Sequence, residues 1–199
     1  MPRPTVYFIR HGETDWNVEG RLQGRRDIAV NTRGRTQATH CGGILRDLLT
    51  RDGREPAGLD YVASPLSRAR ETMQCVRAAL GLAPDSYRTD PQLAEISFGE
   101  WEGFTLAQLR TRDPHRTAAR EQDKWNFVPP GGESYRAMSA RMGQWYESLA
   151  GDAVAVSHGG TARGLIAYLG HAPAAAAPLI DIAQGTVYVF APAGLSHYV

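Results

Sequence analysis

The chain has 199 residues, 42% hydrophobic and 22% charged, which suits one α/β domain with an inserted subregion and excludes disorder as its main state. Its 22 basic and 21 acidic residues leave a formal charge of +1, so it carries no electrostatic footprint for non-specific binding to nucleic acid. Lys124 is the only lysine, which excludes a phosphate loop ending in Gly-Lys-Ser/Thr and leaves a single residue for Schiff-base chemistry.

In chain order, Met1-Pro2-Arg3-Pro4 leads into an apolar run too short for a signal-peptide core or a membrane span, so a cytoplasmic protein with no membrane partner is expected. Thr5 to Ile9 is β-branched and aromatic and predicts a buried strand ending at Arg10-His11-Gly12. Asn31-Thr32 reads as a cap for a helix to Gly53, with Ile44, Leu45, Leu48 and Leu49 at helical spacing. Leu59 to Ala63 predicts a second strand. It runs through Ser64-Pro65 into a helix with the stripe Ala69, Met73, Val76 and Leu80, closed by Gly81. Cys41 and Cys75 lack CxxC spacing and read as reduced, partly buried small hydrophobes.

Beyond Leu93 to Gly103 the stretch from Phe104 to Gly132 is polar, basic and broken by Pro114 and Pro129-Pro130. It reads as an excursion, 104–132, covering the active edge like a lid within one domain, 1–199. Ser134 caps a helix expected to reach Ala150. Ala153 to Val156 predicts a third strand, Ser157 to Gly160 a turn, Thr161 to Leu169 a helix, and Thr186 to Phe190 the last strand, with only Ala191 to Val199 after it. The expected fold is a three-layer α/β/α domain, a mostly parallel sheet with helices on both faces. Ligands of such sheets bind beyond the carboxyl ends of the strands, which gathers Arg10-His11, Ser64 to Arg68 and Ser157 to Gly159 at one edge.

Two arginines, two histidines and helix N-termini at one spot repel one another unless an anion holds them, and a phosphate dianion fits guanidinium forks and backbone N–H groups. Arg10, Arg68 and His158 suit charge stabilisation in phosphoryl transfer, while His11, kept neutral by cationic neighbours, suits nucleophilic attack. No HxH, HExxH or EF-hand pattern appears, so no metal or other cofactor is expected. The leaving group then needs a carboxylic acid. Glu13, Glu95, Glu100 and Glu102 are all candidates, and spacing does not choose among them. A bound dianion would hold such an acid protonated, and the same group, once ionised, would activate water.

Arg10-His11-Gly12-Glu13-Thr14 with Trp16-Asn17, Ser64-Pro65-Leu66-Ser67-Arg68-Ala69, Leu93-Ala94-Glu95 followed by Gly99 to Gly103, and Ser157-His158-Gly159-Gly160 resemble, in order, the blocks of the histidine phosphatase superfamily, also called phosphoglycerate mutase-like. The resemblance implies a phosphohistidine at His11, a phosphate pocket of Arg10, Arg68 and His158, and Glu95 as proton donor. It also implies phosphate contacts from Asn17, Gln23 and Gly159. Arg70 lies off the motif and reads as a surface residue, Glu13 as a supporting group, and Trp101 and Glu102 as loop packing. His40, His115, His171 and His197 carry no motif.

The expected activity is metal-independent hydrolysis of a small phosphomonoester; the alternatives are a cofactor-dependent mutase and, more remotely, a noncatalytic phosphate-binding module. Mutases must keep water from the intermediate, and 63 positions between Glu95 and His158 leave little chain for a tight lid. Arg110, Arg112, Arg116, Arg120 and Lys124 make the excursion basic, with Trp125 and Phe127 available to cover a leaving group or simply to pack. Sugar phosphates, phosphoglycerate-like acids and ribazole phosphate all remain open, as does oligomeric state.

Overall fold

The computed structural model describes residues 3–199; Met1 and Pro2, the start of the segment read for targeting, lie outside the described residues. Strand β1 (Val6–Arg10) is flanked by β4 (Ala153–Ser157) and β5 (Val187–Ala191). β2 (Asp60–Ala63), two-residue β3 (Arg88–Thr89) and β6 (Gly194–Tyr198) complete the order β3-β2-β4-β1-β5-β6. β1 to β4 run parallel, and β5 and β6 are antiparallel to their neighbours.

Period-two alternation sends each strand's side chains to opposite faces. Tyr7, Ile9, Val154, Val156, Val187 and Val189 pack beneath α2 (Thr32–Arg51) and α3 (Ser67–Ala79). Val6, Phe8, Ala155 and Phe190 face the other way, with α6 (Tyr135–Glu147) and α7 (Gly159–Tyr168) above them. The three-layer α/β/α architecture expected from the apolar runs is therefore present. Asn31 caps α2 as read, its Oδ1 accepting from Gly34 N at 2.9 Å.

The excursion contains α4 (Leu106–Arg112) and α5 (Pro114–Gln122), each begun by a side-chain cap, from Thr105 and Asp113. A short α1 (Asp15–Val18) is capped reciprocally by Thr14 and Asn17. Three sequence boundaries need correction. Residues after the expected last strand include β6, which pairs with β5 as a hairpin, and its partly exposed residues give no apolar run to read. α6 ends at Glu147 rather than Ala150. α7 begins at Gly159, two residues before the expected Thr161, because these glycines fill its first turn instead of breaking it. Among the described residues no helix is long and apolar enough to cross a membrane.

Candidate active site

Backbone hydrogen bonds stitch the three strand ends side by side: His11 N donates to Ser157 O and Ser64 N to Val156 O, both at 2.9 Å. This fixes where Arg10-His11, Ser64 and Ser157-His158 leave the sheet, and they open onto a cavity of about 160 Å³. Arg10, His11, Asn17, Gln23, Arg68, Glu95 and Gly159 line it together, and of these the strand-end rule gathers Arg10, His11, Arg68 and Gly159.

His11 is 2% exposed. Its Nδ1 donates to the Gly12 carbonyl at 2.7 Å, which leaves Nε2 as the lone-pair nitrogen. Burial first, then Arg68 and Arg10, push its pKa well below the ordinary histidine value, against a smaller upward pull from the Gly12 bond. The ring is neutral at pH 7 and presents one defined nucleophilic atom. Gly12 has no room for a side chain, since a Cβ there would stand 2.2 Å from the Gly34 carbonyl oxygen.

Arg68 is fully buried and rigidly held. Nη1 and Nη2 donate to the carbonyls of Arg26 and Gly24 at 2.7 Å each, and Nε to His158 Nδ1 at 3.3 Å. Arg10 donates Nη1 to Ile182 O at 2.6 Å, while its buried Nε has no partner. A guanidinium donor without a protein partner, on a residue that lines a cavity, is suited to bind an anion. A Cβ at Gly159 would lie 3.5 Å from Arg10 Nε and 3.3 Å from Arg163 Nη1, so both arginines converge on the N-terminus of α7. That terminus adds the positive end of a helix to the same spot.

His158 lies beside His11. Its ring stands 5.2 Å from that of His11, edge to face, yet both nitrogens are engaged, Nδ1 accepting from Arg68 and Nε2 donating to Ser64 Oγ at 2.7 Å. It is fully buried and does not line the cavity. It stands behind Arg68 and His11, a neutral ring whose pKa burial, Arg68, His11 and Arg10 all lower.

Of the four glutamates left open, Glu95 alone lines the cavity. Its carboxylate accepts from Ile96 N at 2.9 Å and from Gly160 N, in the first turn of α7, at 3.2 Å. Glu13 instead accepts from Asn31 Nδ2, and Glu102 from the N–H groups of Arg25 and Phe98. Glu100 lies exposed on another surface. Arg70 and the four remaining histidines are exposed. No residue of 104–132 lines this cavity; Trp125 packs against the core and Phe127 stacks on Trp101. Among the described residues no three His, Cys, Asp or Glu side chains cluster in a way that would hold a metal ion.

The pattern of the histidine phosphatase superfamily (branch 1) matches residues 6–195. The chain belongs to that family. It is 37% identical over 137 residues to a glucosyl-3-phosphoglycerate phosphatase of Mycobacterium tuberculosis, a match covering 68% of this chain and 56% of that protein. The match thus spans little more than half the length of the first curated relatives. A 2,3-bisphosphoglycerate-dependent phosphoglycerate mutase of Chelativorans sp. is 29% identical over 194 residues, 94% of this chain and 91% of that one. Among solved structures, an alpha-ribazole phosphatase from Shigella flexneri superposes with a TM-score of 0.78 at 28% identity, covering 98% of this chain and 95% of that one.

Three residues of this histidine phosphatase chain escaped the sequence reading. Gln184 Nε2 donates to Asn17 Oδ1 at 3.0 Å and to His11 O at 3.1 Å. Asn17 Oδ1 also accepts from Thr14, so the carboxamide oxygen is committed and Nδ2 is the end left for a ligand. Arg141 grips both oxygens of Glu133 and the carbonyls of Gln92 and Ala94, bracing the loop that carries Glu95. Arg163 lines the cavity, anchored by Nε to Ile180 O at 2.7 Å. Lone polar residues in loops and on helix faces carry no motif, and only the fold reveals their neighbours.

Proposed function

We propose that this chain is a phosphatase that hydrolyses a small phosphomonoester through a phosphohistidine on His11. The observation that carries the reading is the His11 ring itself: neutral, with Nδ1 committed to Gly12 and Nε2 free in a cavity walled by arginines. The substrate's phosphate dianion docks against Arg10, Arg68, the α7 N-terminus, Asn17 and Gln23. His11 Nε2 attacks phosphorus, the P–O bond to the leaving group breaks, and that oxygen takes a proton from Glu95. The charge on the phosphorylated ring is stabilised by the Nδ1–H bond to Gly12 O. Water then attacks phosphorus, Glu95 takes its proton, and the P–N bond breaks to release inorganic phosphate and neutral His11. His158 acts indirectly in this reading, holding Arg68 Nε and packing on the His11 ring.

The substrate is a diffusible metabolite in the cytoplasm, and the chain is one domain that includes the excursion 104–132. The mutase reading draws on relatives bearing that name and stands as the alternative.

Para-nitrophenyl phosphate should turn over in the presence of EDTA, and acid-labile, alkali-stable label should be trapped on the protein from a labelled substrate. His11→Ala should lower kcat by at least about 10⁴-fold with the fold intact. Wild-type-like rates in that variant, or no trapped label in the parent, would overturn the mechanism. Phosphoglycerate interconversion dependent on bisphosphoglycerate would favour the mutase.

A further inference from the structure

Between Leu179 and β5 the chain passes through 180–184, which belongs to no helix or strand. Its polar groups face the phosphate pocket rather than a hydrogen-bonded ladder. Ile180 O accepts from Arg163 Nε at 2.7 Å and Ile182 O from Arg10 Nη1 at 2.6 Å. Gln184 Nε2 donates to His11 O at 3.1 Å and to Asn17 Oδ1 at 3.0 Å. Arg10, His11, Asn17 and Arg163, all lining the cavity, are therefore tied to one short strap.

Within the strap Ile182 is buried in the core, while Asp181 and Ala183 are exposed. Beside it lies an apolar cavity of about 360 Å³, with Ile166, Ile182, Tyr188 and Leu195 in its walls, so close packing does not fix the segment from that side. A hydrogen bond does: Ala183 N donates to the Tyr188 hydroxyl at 2.7 Å. Tyr188 is 7% exposed and stands opposite Phe8 in β1, the strand that leads into His11. Burial raises the pKa of the phenol, against a smaller opposite pull from the Ala183 bond, so the hydroxyl stays protonated at neutral pH. The strap is thereby referred to the same sheet position as the nucleophile.

A guanidinium preorganised for a transferred phosphate must have its own position fixed by groups that do not move with the substrate. We infer that Tyr188 is a positioning residue: its hydroxyl fastens the Ala183 amide, and through the strap 180–184 it orients Arg10, Arg163 and the Asn17 carboxamide toward the anion. Tyr188 itself does not line the phosphate cavity. The inference rests on the phosphatase reading for the identity of the anion, but its binding test does not depend on turnover.

Tyr188→Phe keeps the ring and removes only the hydroxyl. Calorimetry with inorganic phosphate should show Kd rising about threefold to tenfold. KM for para-nitrophenyl phosphate should rise by a similar factor while kcat stays within about twofold. Leu195→Ala enlarges the same apolar cavity and leaves the hydrogen-bonding groups of the strap in place, so its Tm should fall while phosphate Kd stays within about twofold. Tyr188→Phe combined with Gln184→Ala should weaken phosphate binding by less than the product of the single effects, because both act through one segment.

An unchanged phosphate Kd in Tyr188→Phe, an equal weakening in Leu195→Ala, or multiplicative effects in the double variant overturns the positioning role. Should Tyr188→Phe not fold, hydrogen exchange in the parent decides. The Ala183 amide, on an exposed residue, should exchange slowly, and more slowly with phosphate bound, whereas exchange at the free-peptide rate overturns the inference. Absence of turnover of every ester, with phosphate binding still sensitive to Tyr188→Phe, upholds the positioning role and counts against the phosphatase reading alone.

Discussion

Arg68 and Arg120 are both buried arginines, yet their surroundings differ. Arg68 has Nε, Nη1 and Nη2 committed to His158, Arg26 and Gly24, and its position is fixed before any substrate arrives. Arg120 is buried on the excursion, and that burial, before any charge, lowers its pKa. The transferred phosphate has one shape in every substrate, so the groups around it can be preorganised by backbone carbonyls and strand ends. The contrast sets a preorganised chemical half, built on strand ends, against the excursion 104–132, none of whose residues lines the phosphate cavity.

Changes on the chemical half should dominate. Glu95→Gln removes the proton donor and is expected to cost about 10²- to 10⁴-fold in kcat on alkyl phosphates, and much less on para-nitrophenyl phosphate, whose leaving group needs no proton. A uniform loss on both ester classes, measured by steady-state kinetics, would point to a structural role instead. Gly160→Ala puts a Cβ 2.2 Å from Glu95 Oε1, so the carboxylate must move. About 10- to 10²-fold lower kcat with near-native circular dichroism is the expected outcome. Gln184→Ala frees the Asn17 carboxamide to rotate, and competitive inhibition by inorganic phosphate should weaken about threefold to tenfold with kcat nearly unchanged.

The smallest effect is on stability and acts through pH. His11 and His158 have folded-state pKa values below the unfolded value of about 6.5. Below that value the unfolded chain binds more protons than the native one, so stability is full above about pH 7 and falls as the solution is acidified. Thermal melts between pH 7.5 and 5.5 should show Tm dropping, with a shallower slope in His158→Asn. An unchanged slope would remove the buried neutral ring as its cause.

Much of the chemical half was legible in the sequence because it depends on strand ends. Val6 to Ile9, Tyr61 to Ala63 and Ala153 to Val156 are apolar runs that parallel sheets bury, and polar residues just beyond them converge by topology. The choice among four glutamates was not legible. It depends on how the loop after β3 is pinned to α6 by Arg141, across 47 residues from Ala94. The hairpin strand β6 was missed because Gly194 to Tyr198 is half-exposed and lacks the apolar run that marks a strand. His158 lies next to His11, but which atoms its ring nitrogens face is set by Ser64 and Arg68 together, and no linear pattern encodes that.

The clamp of Arg141 on Gln92, Ala94 and Glu133 has a mechanical corollary. The imidazole rides on the sheet, whereas the carboxyl is slung from the helical layer above it, so the gap across which a proton must jump is the clearance between two bodies. A slide of one layer over the other by less than a bond length would silence the chemistry while leaving every strand and helix in place, and thermal inactivation should therefore precede melting.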